Sequence, residues 1–351
     1  MSIKKISMVV LSLLGLSMIT GCGNEKSNEM KVSATLFPAY DFVREITKGE
    51  VDVDLILKPG TDLHSFDPTP KDIVNIQESD LFIYIGSEKW AYDIIETLDT
   101  KKTKVIRLMD YVDLKEELIT DGMEHNHDHE EEHHDHEHNE DCDHEHHDHD
   151  HEDCDHEHHD HDHEHHDNSK LSYNEIIKYD EHIWTSIKNC IVLVEEINEE
   201  LIKIDEKNKE KFNENTKNYI EKLEEKDNEF ETIFENANNK NLIVADRFPF
   251  TYFVNDYNIT AYAAFTGCSS STNASPKTLS FLINKMKELN VKAIYHVELS
   301  NKEIANAITE NTKVLVKEFN SGHNMSKSDF DKGVTYLDII NNNLENIKSG
   351  F

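Results

Sequence analysis

Residues 121–167 cannot belong to a packed core, and that one stretch limits how the rest of the chain can fold. It holds 19 of the 23 histidines, 22 acidic residues and no Lys or Arg. Within it DCDHEHHDHDHE occupies 141–152 and recurs letter for letter at 153–164. Beyond Met123 its only apolar residues are Cys142 and Cys154. So little nonpolar surface cannot offset the entropy of ordering the chain, and disorder is expected. A His-rich tract is a compositional signal for metal capture. Neutral imidazoles favour zinc, copper, nickel or iron, whereas an oxygen-only tract would suit calcium or magnesium. Zinc is the expected ion. The plainer alternative is a solvated expansion that only buffers protons.

The N-terminus gives the compartment. Lys4 and Lys5 precede an apolar run over 6–20, which is too short and wrongly flanked for a permanent transmembrane helix. Ile19-Thr20-Gly21-Cys22 resembles a bacterial lipobox, implying that Cys22 is lipidated and becomes the mature N-terminus. The expected address is the extracytoplasmic face of the cell membrane, with residues 23–30 as a tether. The formal charge is -35. Such a surface lacks the basic footprint that nucleic acid requires, and it attracts cations. Of the five cysteines, Cys190 and Cys268 lie far apart and read as core or loop residues rather than a disulfide pair.

Strand-like runs at 31–37, 51–57, 80–85 and 104–108 alternate with helical patterns at 41–47, 69–77 and 90–98. A second series follows, with strands at 241–245, 259–264, 291–297 and 312–316 and helices at 275–289, 302–309 and 326–347. Alternation of this kind indicates βαβ units and parallel sheets. Between the series, 173–179 and 183–204 are amphipathic, and 208–235 repeats apolar residues at helical spacing without Gly or Pro. The expected fold class is α/β: two αβ lobes joined by one long rigid helix. The boundaries are a signal peptide at 1–22, a tether at 23–30 and an N-terminal lobe at 31–120. The tract, 121–168, interrupts that lobe, which resumes at 169–206. A linking helix, 207–238, and a C-terminal lobe, 239–351, complete the chain.

Outside the tract only His64, His182, His296 and His323 remain. His64 follows a strand end, where ligands bind in open parallel sheets, and His182 opens a helix beside Trp184. His296 ends a strand two residues before Glu298, so both can face one side. His323 lies in a loop after the last strand. Any one of them alone reads more readily as a core or capping residue. Three of them at element ends, where sites are usually built, suggest zinc ligands drawn from both lobes.

PGTDLHSFDPTP, EHIWTS, NLIVADRF, FPFTYFVNDYNI and GHNMSKSDFDKGVTYLD resemble the zinc/manganese solute-binding lipoproteins of ABC transporters, over essentially the whole mature chain. The resemblance implies one metal ion in a cleft between lobes, delivered to a membrane permease driven by a cytoplasmic ATPase, and a monomeric receptor. His64 and His182 match the first two ligand histidines. The third position departs from the pattern, because Arg247 stands there and a guanidinium cannot ligate a cation. Asp246 is a possible salt-link partner for it. His323 is the implied replacement, with Glu298 completing the set and His296 a weaker candidate. Zn2+ is the expected cargo, and Mn2+ is the alternative if carboxylates dominate. A surface adhesion or zinc-storage role is a further alternative. A metalloenzyme is disfavoured, since no H-E-x-x-H motif occurs outside the tract and no nucleophile–base pair stands out.

Overall fold

Short apolar strands build two sheets with one topology. In this computed structural model the described residues are 30–61, 66–123, 168–267, 269, 273–310 and 312–351. The expectations placed on Cys22, on His64 in residues 62–65, on the tract from 124 to 167 and on Cys268 lie outside the described residues. Strands β1 (Lys31–Ala34), β2 (Asp52–Leu55), β3 (Leu81–Tyr84) and β4 (Lys104–Arg107) pair in parallel in the order β2-β1-β3-β4. Val32 sits opposite Val53 on one side and Leu81 on the other. Strands β5 (Asn241–Phe248), β6 (Thr260–Thr266), β7 (Ala293–His296) and β8 (Leu315–Glu318) repeat the order as β6-β5-β7-β8, again parallel. All four residues of β3 are buried, as expected where helices cover both faces of a parallel sheet. Each sheet has a switch point beside its first strand, and ligands collect outside the carboxyl ends of strands there.

The helices start where local chemistry can satisfy their free amides. Helix α1 (Phe37–Thr47) begins earlier than the 41–47 expectation, because Pro38 in its first turn has its φ already fixed for a helix. Helix α2 (Pro70–Glu78) carries a capping box between Thr69 and Asp72, and α3 (Lys89–Ile95) follows β3. After the tract, α4 (Tyr173–Ile176) is a single turn rather than a helix to 179. A 3-10 turn, Ile183–Thr185, precedes α5 (Ile187–Ile204), whose N-cap Ser186 accepts from the Asn189 amide.

The C-terminal lobe adds α7 (Thr251–Asp256), α8 (Pro276–Glu288) and α9 (Glu303–Thr309). The closing helix expected over 326–347 is two helices, α10 (Lys327–Asp331) and α11 (Tyr336–Gly350). Gly333 adopts φ 75° between them, a left-handed conformation that glycine takes without a Cβ clash. A Thr335–Asp338 capping box then restarts the helix.

Helix α6 (Lys209–Glu235) runs 27 residues without a break, roughly 40 Å at 1.5 Å per residue. Near its middle Tyr219 packs on Phe42 of α1, with ring centroids 6.2 Å apart. Near its end Phe230 and Phe234 pack on Phe253 and Tyr257 of the second lobe, at 4.8 to 6.2 Å within that cluster. Both sets belong to one continuous buried cluster, so the helix is a shared spine. Asp41 ties the lobes directly by accepting the Tyr336 amide at 2.8 Å, the free N–H in the first turn of α11. Burial pushes the Asp41 carboxyl up to about 6, against the opposing pull of that amide. No helix among the described residues is long and apolar enough to cross a membrane.

Candidate metal centre

His182 is fixed by Asp180, two residues before it. Asp180 Oδ1 accepts the His182 backbone amide at 2.8 Å and contacts ring Nδ1 at 2.7 Å. The Asp180 carbonyl in turn accepts from the Tyr252 hydroxyl at 2.7 Å. Both side chains are 1% exposed. Burial alone would lower the His182 pKa, but the Asp180 charge and hydrogen bond outweigh it and raise the pKa. Burial alone would likewise raise the Asp180 carboxyl, and its contacts with His182 hold it below the ordinary value instead. With Nδ1 donating to the carboxylate, the neutral ring carries its lone pair on Nε2. That atom is buried and has no hydrogen-bond partner among the described residues. A buried acceptor left unmatched is costly, and a metal ion is the species a fixed imidazole of this kind binds.

His323 is placed by its backbone. It sits in the loop after β8, where Glu298 Oε2 accepts the Ser321 amide at 2.8 Å. Glu298 Oε1 accepts the Ser321 hydroxyl at 2.7 Å and the Asn324 amide at 3.3 Å. Ser321 Oγ accepts the His323 amide at 3.2 Å, and Trp184 Nε1 donates to the Ser321 carbonyl at 2.8 Å. The ring centroids of His182 and His323 lie 5.2 Å apart, with Trp184 at 5.5 and 5.7 Å from them. Asn324 also reaches the first lobe: its Oδ1 accepts from Gly60 N at 2.9 Å, and its Nδ2 donates to the Thr61 carbonyl.

Beside His323 lies a pocket of about 180 Å³, bordered by Arg247, Pro249, Gly267, Glu298 and, from the other lobe, Gly60. It opens at the carboxyl ends of β5, β6 and β7, where the sheet topology places ligands. Arg247 is therefore in the wall, as its sequence position implied. Its backbone amide donates to Asp246 Oδ1 at 2.9 Å. His296 is not in that wall; its Nδ1 donates to the Val297 carbonyl at 2.8 Å, and the residue is buried. Glu298 is in the wall, with both oxygens accepting from the His323 loop. Among the described residues no three His, Cys, Asp or Glu side chains are gathered closely enough to hold an ion. Cys190 is a buried free thiol whose pKa burial raises to about 12, a core residue as expected.

Two acidic residues near His182 did not emerge from the sequence. Asp180 was in principle visible, as an acid two positions ahead of a candidate ligand. Glu117 gave no local signal, since only tertiary structure brings it here. The segment before the tract runs across the second lobe: Lys115 N donates to the Tyr252 hydroxyl at 3.3 Å and Leu118 N to Thr251 Oγ1 at 3.2 Å. Glu117 Oε1 thereby accepts the Gly267 amide at 2.6 Å. A Cβ added to Gly267 would lie 3.0 Å from the Phe248 carbonyl, 3.2 Å from His182 Cε1 and 3.3 Å from Glu117 Oε1.

A family model described as zinc-uptake complex component A, periplasmic (ZnuA) matches residues 32–350. The chain belongs to the ZnuA family. It is 29% identical over 342 residues to the high-affinity zinc uptake system protein ZnuA of Bacillus subtilis, covering 97% of this chain and 93% of that protein. It is 27% identical over 352 residues to the zinc-binding lipoprotein AdcA of Streptococcus pneumoniae, spanning 98% of this chain and 60% of AdcA. The fold is shared with the metal-dependent lipoprotein YcdH of B. subtilis, at TM-score 0.68 and 25% identity over 92% of this chain and 99% of that one. It is shared too with the Zn(II)-bound ZnuA-like domain of pneumococcal AdcA, at TM-score 0.66 and 23% identity over 91% and 98%. In this ZnuA-family chain the cleft site thus combines two adjacent imidazoles, a cationic Arg247 and bracing carboxylates.

Proposed function

We propose that this chain is the extracytoplasmic receptor of an ABC importer, which captures zinc in the cleft between its lobes and passes it to a membrane permease powered by a cytoplasmic ATPase. The observation that carries the reading is the buried Nε2 of His182, without a hydrogen-bond partner among the described residues and held by Asp180 beside the ring of His323. Those two histidines and His64 are the proposed imidazole ligands. The described chain leading to His64 is pinned by Asn324 next to His323, which favours that grouping. Glu298 acts chiefly through the loop it braces. A site rich in imidazole favours zinc, with manganese the weaker cargo. The chain carries out no covalent chemistry; lobe opening and closure control uptake and release. Lipid on Cys22 tethers the receptor to the membrane, and the tract of 121–167 serves as a low-affinity collector.

The test is zinc content and titration of the mature chain and of a form lacking 121–167, each with His64→Ala, His182→Ala and His323→Ala versions. One tightly held zinc should survive removal of the tract and weaken with each substitution. Absence of any tight site in the shortened form would sink the receptor reading and leave the tract as the functional element.

A further inference from the structure

We propose that the groove between α5 and α6 is a second ligand site, which takes a linear aliphatic polyamine. No residue borders both this groove and the metal cleft, and the site does not depend on the receptor reading.

Helical spacing builds the groove. Asn198 and Ile202 stand one turn apart on α5, and Thr216 and Ile220 do the same on α6, so each pair shares a face. These residues border a hollow of about 680 Å³. The helices meet there through Asn198 Nδ2, which donates to Asn213 Oδ1 at 2.7 Å. Asn198 and Thr216 are only 7% and 6% exposed. Even so, Asn198 Oδ1 and Thr216 Oγ1 have no hydrogen-bond partner among the described residues. Buried acceptors of this kind cost stability unless a donor meets them.

Charge decides what the donor is. Glu195, Glu196 and Glu199 from α5 and Glu221 and Glu224 from α6 border the groove, against the single cation of Lys217. That balance excludes an anion. It does not suit a metal ion either, because among the described residues no three carboxylates, imidazoles or thiols are gathered closely enough to hold one. The carboxylates are instead spread along two helices, where successive turns are roughly 5.4 Å apart. Ammonium groups joined by three or four methylenes have a similar spacing. The methylenes between them have an apolar bed in Ile202 and Ile220, both half-buried. Lys217 already shows this chemistry within the chain: its ammonium lies 3.9 Å from Glu221, a contact that a bound polyamine takes over.

The experiment follows the isoleucine methyl resonances of the full mature chain as spermidine is added, in excess over what the acidic tract can take up. Magnesium chloride at matched ionic strength is the control for simple screening. The parent is compared with Thr216→Val, which keeps the shape and removes the hydroxyl, and with Lys217→Met, which removes the internal competitor. Spermidine should shift the Ile202 and Ile220 methyls saturably, and magnesium should not. Thr216→Val should weaken spermidine by about 3- to 10-fold, the loss of one hydrogen bond to a cation, without lowering the melting temperature of the free protein. Lys217→Met should tighten it by about 2- to 5-fold. Shifts that do not saturate, shifts that magnesium reproduces, or parent affinity in both variants would overturn the proposal and leave the receptor reading untouched.

Discussion

His182 is held through its ring, and His323 through its backbone. The first lobe buries an aspartate directly against the imidazole, fixing both its tautomer and its direction. The second lobe uses Glu298 to gather the amides and hydroxyl of a loop, and the histidine rides on that loop. The same chemical class, a carboxylate accepting two or three hydrogen bonds, works at different ranges. A ring fixed by its own partner is ready before an ion arrives. A ring carried by its loop is placed instead by the bonds that Ser321 and Glu298 make to that loop.

Breaking the tighter side should cost most. Asp180→Ala leaves a buried imidazole and the adjoining amide without their acceptor, and loss of one partner of a buried pair costs about 3–5 kcal/mol; chemical denaturation would measure it, and zinc affinity should fall with it. Glu298→Ala should cost about 2 kcal/mol, in the range of hydrogen bonds to a charged group. Its distinguishing result is a weakened zinc site with an unchanged His182 ring resonance in the metal-free protein.

Asp41, which joins the lobes away from the cleft, tests a pH effect. Its folded carboxyl lies at about 6 against 3.8 ordinarily, so between those values the native state keeps a proton that the unfolded chain has lost. Stability from this group is present below pH 4 and is lost as pH rises through 6, by about 3 kcal/mol in full. Asp41→Asn should match the wild type at pH 4 and exceed it at pH 7 in denaturant midpoint; the reverse order would refute the sign. Smallest of all, Lys348→Ala removes surface pairs to Glu229 and Glu345 and should shift stability by no more than about 0.5 kcal/mol.

Most of the fold could be read from the sequence, because buried parallel strands are continuous apolar runs and the periodicity of α6 is unbroken. The errors fell at ends. Strand β5 continues past Ala245 to Phe248 through the polar pair Asp246-Arg247, which apolarity alone could not predict. Helix α11 restarts after Gly333, a break that depends on a glycine turn inside a helical pattern. The pairing of His182 with His323 was legible from their loop positions and the family resemblance. The position of Glu117 was not, since it arises from hydrogen bonds to Thr251 and Tyr252, more than 130 residues along the chain.

The bridge made by Asn324 also limits how the two halves can part. One amide group offers both a donor and an acceptor to adjoining backbone groups at Gly60 and Thr61, much as one strand reads its neighbour. The two bonds share one rigid plane, so they are released together rather than in turn. Carboxamides also carry no ionisable proton, so this fastening is insensitive to acidity. A receptor exposed to the fluctuating pH outside a cell would thus keep a latch that acid leaves alone, whatever happens to the imidazoles behind it.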